Sequence, residues 1–534
     1  PPDPYDRWRL ARGALHLLDH WQKHRAITPH KRRPFPGESF LGTVPIPLCR
    51  ADDERWQRLA HQPDETDPGA GGRDQTPPQA LAIQVAHGIR VEHNRQAFFT
   101  RQAQTELGET RPSVTSGGEY AGILSPELWA AIQPAKDGPM DFSPTQLEQL
   151  VVCPYRYYLQ YIAGVEPIER NELEASPRDF GTAIHFIMHA GFRLLQGFTD
   201  TDQIPGLSKV TQAYADLMTP DWAVLDPKGI WHLQEGATRP APDALPLVSL
   251  KPSAGKRLLS FFDSLSEVIL KWATSGNARW MLGAPEQLSI QCHRIQRAIR
   301  NLARTALEPA ALPDAFEDSD EGQSYHRFPC LLEYSFNSQS KQADAPSVEL
   351  QEPASPHHTV RLHGKIDRVD LVFDTGNILR AIIVVDYKGK SKGILTPATM
   401  AGNIARAEDC QLPAYAMAAS ARFTSPPKTT VPIFMQYLSY SHSAGDLIKD
   451  CKKRWLTMDG QPVEEDELAE IMQGINPSLT LMQAFITSTF AALAKYERGE
   501  FTVAPIECKY CAFAGCCRHY ASLLAPDGDK TEDA

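Results

Sequence analysis

The sequence predicts an α/β protein, and three observations carry that expectation. The stretches TVRLHGKIDRVDLVF (359–373) and ILRAIIVVDYK (378–388) flank the turn DTGN, which is strand, turn, strand by spacing. RDFGTAIHFIMHAGFRLL (178–195) repeats apolar residues at helical spacing, with Gly181, His185, Met188 and Phe192 along one face. At 534 residues the chain exceeds one ordinary core, so about two to four domains are expected.

Composition narrows the class. The chain is 42% hydrophobic and 22% charged, and no run of about 18 apolar residues is present to span a bilayer. The first residues, PPDPYDRWRL, lack both an initiator Met and a basic-then-apolar leader, so a fragment of a longer cytoplasmic protein is expected. A net charge of −11 argues against a surface that grips nucleic acid everywhere and leaves room for a local basic channel. Ten cysteines are too sparse for a disulfide scaffold, yet Cys508, Cys511, Cys516 and Cys517 crowd together near the C-terminus. In a reducing compartment such crowding points to metal.

In chain order, residues 1–60 mix helical stretches with Pro-rich connections, and 61–80 read as a flexible exposed loop. A mixed segment over 82–135 carries no recognisable chemistry and ends in a linker at 134–140. DFSPTQLEQLVVCPYRYYLQYIAG (141–164) opens with a helix start: Ser143 as N-cap, Pro144 at the first helical position and Gln146 completing a capping box. Pro154 breaks this helix in two and leaves Cys153 at the junction. His185 on the next helix points inward, as either a core histidine or a ligand. Residues 197–250 are Pro-rich. CHRIQRAIRNLARTAL (292–307) sets Arg294, Arg297, Arg300 and Arg304 on one helical stripe, readable as a solvated face or as a phosphate-facing one. An irregular stretch precedes the hairpin, a helix follows over 403–421, and helices return at 477–498. There is no internal repeat.

The hairpin ends oddly. A run of five apolar residues closes in Asp386, a spacer and Lys388, although unpaired charge on a buried strand costs several kcal/mol. A surface salt bridge would explain such a D-x-K by itself. In a hairpin, however, Asp367 on the first arm approaches Asp386 on the second, and facing carboxylates repel unless a divalent cation lies between them. Lys388, two residues on, projects to the same face as Asp386, where an ammonium could orient water or stabilise charge on an attacked phosphate. Gln411 and Tyr415 in QLPAYAMA then sit four apart on a helix face.

This ordered set resembles the PD-(D/E)XK nuclease superfamily, in its RecB-like branch. His185 stands at the family's helical metal-binding histidine, Asp367 in GKIDRVD at the first metal carboxylate, Asp386 and Lys388 at the D-x-K pair, and Gln411 and Tyr415 at Q-x-x-x-Y. Asp370 is the nearest rival to Asp367. The resemblance implies a restriction-endonuclease-like core, a central mixed sheet flanked by helices, with helical additions. It also implies Mg2+- or Mn2+-dependent phosphodiester hydrolysis. Asp367, Asp386, His185 and the backbone carbonyl of Tyr387 would hold the ion, while Lys388 positions water and Gln411 and Tyr415 steady the strand or the lysine.

Read from spacing alone, Cys508-x2-Cys511-x5-Cys517 lacks a fourth ligand, which Cys516 or the missing half of a zinc ribbon could supply. The resemblance to AddB-type nucleases implies instead that Cys153 joins Cys508, Cys511 and Cys517 around a 4Fe-4S cluster, a clasp closing the two ends of the nuclease domain. It further implies a nuclease domain at 141–522, the end of a helicase-like region at 1–140 and a disordered tail at 523–534. The expected partners are single-stranded DNA and a helicase-nuclease subunit in double-strand break repair, with no membrane. Other readings are a stand-alone Fe-S nuclease of phage defence or CRISPR adaptation, and a non-enzymatic Fe-S scaffold that binds DNA. No G-x-x-x-x-G-K-[ST] is present, so any motor must lie elsewhere.

Overall fold

The structure is a computed structural model. It describes residues 123–503, with breaks at 125, 134–139, 166–175, 199–203, 237, 241, 250–254, 278–286, 307–311, 317–323, 354, 390–394 and 424–430, and then Cys511 and Phe513. The expectations for residues 1–122, for Cys508, Cys516 and Cys517, and for the tail lie outside the described residues. Two compact units are formed. One comprises the described parts of Lys136–Glu148 and Arg170–Phe490, and the other those of Pro1–Ala135, Gln149–Glu169 and Ala491–Ala534.

The larger unit is built on a mixed sheet of five strands: β1 (Tyr325–Phe336), β2 (Gly364–Asp374), β3 (Leu379–Lys388), β4 (Ile433–Ser439) and β5 (Leu456–Thr457), in the order β5-β4-β3-β2-β1. Only β3 and β4 run parallel; the neighbouring pairs are antiparallel. Such a central strand has helices on both sides, which is why Ala381, Ile382, Ile383, Val384 and Val385 form a continuous apolar run, each 0% exposed. Burying each of the four branched side chains, Ile382, Ile383, Val384 and Val385, is worth about 1.5–3 kcal/mol.

One face is covered by α1 (Pro177–Leu195), α2 (Gly255–Trp272) and α3 (Leu288–Thr305), whose Ile184, Ile187, Phe261, Phe262, Ile295 and Leu302 share a core with Ile383, Val385 and Tyr387. Ser176 caps α1 by accepting from the Asp179 amide at 3.0 Å, and Pro177 follows at the first helical position. The close packing of α1 on α2 requires Gly191, where a Cβ would lie 2.3 Å from Phe262 Cε1. The helix α4 (Gln411–Phe423) packs on the strands β2, β3 and β4.

Several expected elements take altered form. The capping box is present: the Gln146 amide donates to Ser143 Oγ at 3.2 Å and Ser143 N to Gln146 Oε1 at 2.8 Å. The first hairpin arm, read as one strand, is two. Ser355–Leu362 pairs with Met140–Phe142 and Val348–Glu352 in a separate sheet, and His363 turns the chain into β2 by donating its N–H to Phe142 O at 3.0 Å. The helix expected over 403–421 is also two, because Ala407 adopts a left-handed φ of 55° and ends Pro397–Ala405 before α4 begins. The Pro-rich 197–250 stretch holds a three-stranded antiparallel sheet of Asp221–Leu225, Trp231–Gln234 and Leu245–Leu247. No described helix is long and apolar enough to cross a membrane.

Pro154 does break the helix, giving Pro144–Val152 and Pro154–Tyr157 with Cys153 extended between them. An aromatic cluster joins distant sequence: Trp129 meets Tyr496 and Phe501 edge-on at 5.2 Å each, and Tyr158 lies 5.3 Å from Phe501. Backbone bonds run beside it, from Leu124 N to Gly499 O at 3.0 Å and from Tyr155 N to Thr502 O at 3.3 Å. Cys511 packs against a small core of Leu159, Val165 and Phe513, in the company of Tyr155 and Tyr158.

Candidate active site

The β2–β3 register sets Arg368 opposite Val385 and Val369 opposite Val384, and continuing it puts Asp367 opposite Asp386. Opposed residues of an antiparallel pair share a face, so the two carboxylates are neighbours because the hairpin makes them so. Asp386 is 1% exposed. Tyr387 N donates to Asp367 Oδ2 at 2.7 Å, and Lys388 Nζ lies 2.7 Å from Asp386 Oδ2. From α1, His185 brings Nδ1 to 3.1 Å from Asp367 Oδ1 and 3.6 Å from Glu333 Oε1. The ring of Tyr387 meets that of His185 edge-on at 5.6 Å.

Glu333 is the residue that sequence reasoning missed. It lies on β1 between Leu332 and Tyr334, which pair with Arg368 and Ile366, and so arrives beside Asp367. Its φ of 50° is left-handed, a conformation costing a residue with a Cβ about 1–2 kcal/mol. Strain of this kind gathers at functional sites. Lys365 Nζ holds its second oxygen at 2.7 Å. The available signal was a lone acid in the apolar run PCLLEYSF, the same oddity that drew attention to Asp386.

Electrostatics follow from burial and pairing. Burial is the largest influence on Asp386; with the neighbouring charge of Asp367 it outweighs Lys388 and holds the carboxyl well above the usual carboxylate range. Burial works to lower His185, but hydrogen bonds to Asp367 and Glu333 and their charges lift it to about 10. Burial likewise opposes ionisation of Glu333, and His185 and Lys365 more than offset it. Burial raises the Tyr415 hydroxyl, and the charges of Asp386, Asp367 and Glu333 add to the effect, which places that hydroxyl within their field.

Ligand atoms of His185, Glu333 and Asp367 all lie within 4.8 Å of one another. Carboxylate oxygens and an imidazole, beside a further buried carboxylate, fit a hard divalent cation such as Mg2+ or Mn2+. Asp370, the rival to Asp367, faces away from this cluster. It accepts from Arg368 Nη2 at 2.9 Å and from Arg327 Nε, while Arg368 Nη1 donates to Tyr387 Oη at 3.0 Å. Asp370 and Arg368 are each 0% exposed, so this carboxylate is a core counter-ion. Gln411 directs its amide to Thr145 Oγ1 at 3.4 Å, and its described hydrogen bonds do not reach the carboxylates. Cys153 and Cys511 are half-buried free thiols; Cys330, Cys410 and Cys451 are buried and Cys292 half-buried, as scattered core residues are.

A family profile described as the PD-(D/E)XK nuclease superfamily matches residues 141–247 and 255–518. The chain belongs to that superfamily. PD-(D/E)XK members are typically nucleases that use divalent metals, and the helix-flanked mixed sheet of this chain is consistent with a PD-(D/E)XK core. A search of the curated proteins finds no match.

Proposed function

We propose that this PD-(D/E)XK protein is a Mg2+-dependent DNA exonuclease acting on single strands, the nuclease part of an AddAB-like helicase-nuclease in the cytoplasm. The observation that carries the reading is the convergence of His185, Glu333 and Asp367 beside the Asp386–Lys388 pair. His185, Asp367, Asp386 and the Tyr387 carbonyl would hold the ion, with Glu333 as a further donor. When bound, such an ion lowers the pKa of water and neutralises charge on a phosphate.

The chain's own residues supply the rest. Asp386 and Asp367 keep Lys388 and His185 oriented, and the Lys388 ammonium, 2.7 Å from Asp386 Oδ2, would stabilise the charge that builds on the attacked phosphate. Tyr415, buried beside the carboxylates, limits water at the back of the site. Gln411, toward Thr145, would steady the strand.

A 4Fe-4S cluster on Cys153, Cys508, Cys511 and Cys517 would be a structural cross-link. Support comes from the adjacency of the two segments: Tyr155 N bonds Thr502 O, and Cys511, Tyr155 and Tyr158 pack against the same core of Leu159, Val165 and Phe513. Cys153→Ser should then lose iron and the brown absorbance; full iron content in that variant would sink the clasp.

The deciding experiment is cleavage of end-labelled linear and single-stranded DNA with Mg2+, comparing anaerobically purified wild type with Asp386→Ala. Cleavage by wild type alone is expected, and the label released first reads the polarity. Equal inactivity, persisting when a cognate helicase subunit is added, would refute the enzyme and favour a DNA-binding scaffold.

A further inference from the structure

Beside the carboxylates, the chain leaves β4 through Tyr440. The β3–β4 register pairs Ser439 with Lys388, and Tyr440 N donates to Lys388 O at 3.1 Å. This tyrosine is therefore tied to the strand end that carries the lysine. Its hydroxyl lies beside two glycines: a Cβ on Gly389 would come within 3.3 Å of Oη and one on Gly181 within 3.6 Å. Among the described residues, Oη makes no hydrogen bond. Burial raises the hydroxyl, and the opposing influences of Lys388 and Asp386 show it to be in their reach.

The ring of Tyr440 lies 5.8 Å from that of Phe180, tilted by 47°, and both residues are half-exposed. Over Phe180, at 5.3 Å from its centroid, sits the guanidinium of Arg294, the first of the arginine stripe on α3. That stripe is not uniform. Arg300 is exposed but paired with Asp263, and Arg304 is half-buried; at the opening, Arg294, which donates to Gln291 Oε1 at 3.2 Å, and Arg297 are exposed. The end of the stripe nearest the cleavage centre is thus basic and lined with aromatic rings.

Aromatic rings beside a cation and a phenolic hydroxyl match the chemistry of an unpaired nucleotide: a π-face for the base and donors for the phosphate. A duplex hides its base faces in its own stack and could use only the cation. We propose that Tyr440, Phe180 and Arg294 form a subsite that binds one nucleotide of a single strand next to the cleavage centre. This rests on the nuclease reading for its substrate and names the residues that select a single strand over a duplex.

The test is binding without divalent metal, by anisotropy of labelled oligothymidylate, of an abasic strand of equal length and of a blunt duplex, to the full chain. Wild type should favour oligothymidylate over the abasic strand by roughly 5- to 150-fold, the worth of one base stacked on an aromatic side chain. Phe180→Ala and Tyr440→Ala should each erase much of that preference, and Arg294→Ala should weaken all strands and lower the salt slope by about 0.7. Phe180→Leu, which keeps an apolar side chain in place, guards against a folding defect and should lose the same preference. The subsite is wrong if wild type does not distinguish the abasic strand, or if the preference survives in Phe180→Leu. Wild-type cleavage of the same oligothymidylate is scored separately with Mg2+ and the cognate helicase subunit, so a base preference without cleavage there would spare the subsite and refute the nuclease.

Discussion

Removing Asp370 should cost more stability than removing any surface acid, even though it is not among the proposed metal ligands. Its carboxylate serves two guanidiniums, with Arg368 Nη2 at 2.9 Å and Arg327 Nε in contact, and the side chains are 0%, 0% and 4% exposed for Asp370, Arg368 and Arg327. In Asp370→Ala both cations stay buried, with the hydroxyl of Tyr387 the described acceptor that remains for Arg368. Breaking one buried pair by removing a partner typically costs about 3–5 kcal/mol, mostly the penalty of the abandoned charge. With two abandoned charges the upper part of that range is expected. Urea unfolding of the metal-free protein, followed by far-UV circular dichroism, gives the number, and Asp370→Asn should recover part of it because the amide oxygen still accepts. A loss below about 1 kcal/mol, the ceiling for an exposed ion pair, would show that water reaches the arginines and that the network is not the closed core ion group described above.

Other consequences follow from the same geometry. His185 is raised from an ordinary 6.5 to about 10 by its carboxylates, so its stabilising pairs are fully present below about pH 6.5 and are lost as pH rises through about 10. Thermal unfolding of metal-free protein should therefore fall over that window, and His185→Gln should flatten it; an unchanged slope would contradict the pairing. A proton on His185 also competes with a cation, so Mn2+ affinity by calorimetry should rise with pH in the same window. Glu333→Gln should raise the half-saturating Mn2+ concentration about tenfold, as loss of one charged ligand oxygen would, and an unaltered isotherm would remove Glu333 from the donor set. Gly191→Ala forces a Cβ to within 2.3 Å of Phe262 and should cost about 1–3 kcal/mol by overpacking, read by urea unfolding.

Local chemistry was legible in the sequence wherever it acts over a few residues. Ser143 and Gln146 announce their helix because a capping box closes within one turn, Pro154 breaks a helix wherever it stands, and the turn at 374–377 sets the hairpin that brings Asp367 and Asp386 together. The D-x-K ending could be read because charge at the end of an apolar strand needs a reason. Tertiary pairing decided the rest. Glu333 reaches the site only through the β1–β2 register, some 34 residues from Asp367 in sequence. Asp370 and Asp367 are both acids on one strand, and only the buried arginines on the opposite face separate a counter-ion from a candidate ligand. His363 and Ala407 each end an element that periodicity would carry through, because the partners that stop it, Phe142 for one and Ile404 for the other, are fixed by backbone geometry rather than by residue type. Periodicity reports which face of an element is apolar; which distant element covers it, and therefore which charges meet, is settled only when the chain closes on itself.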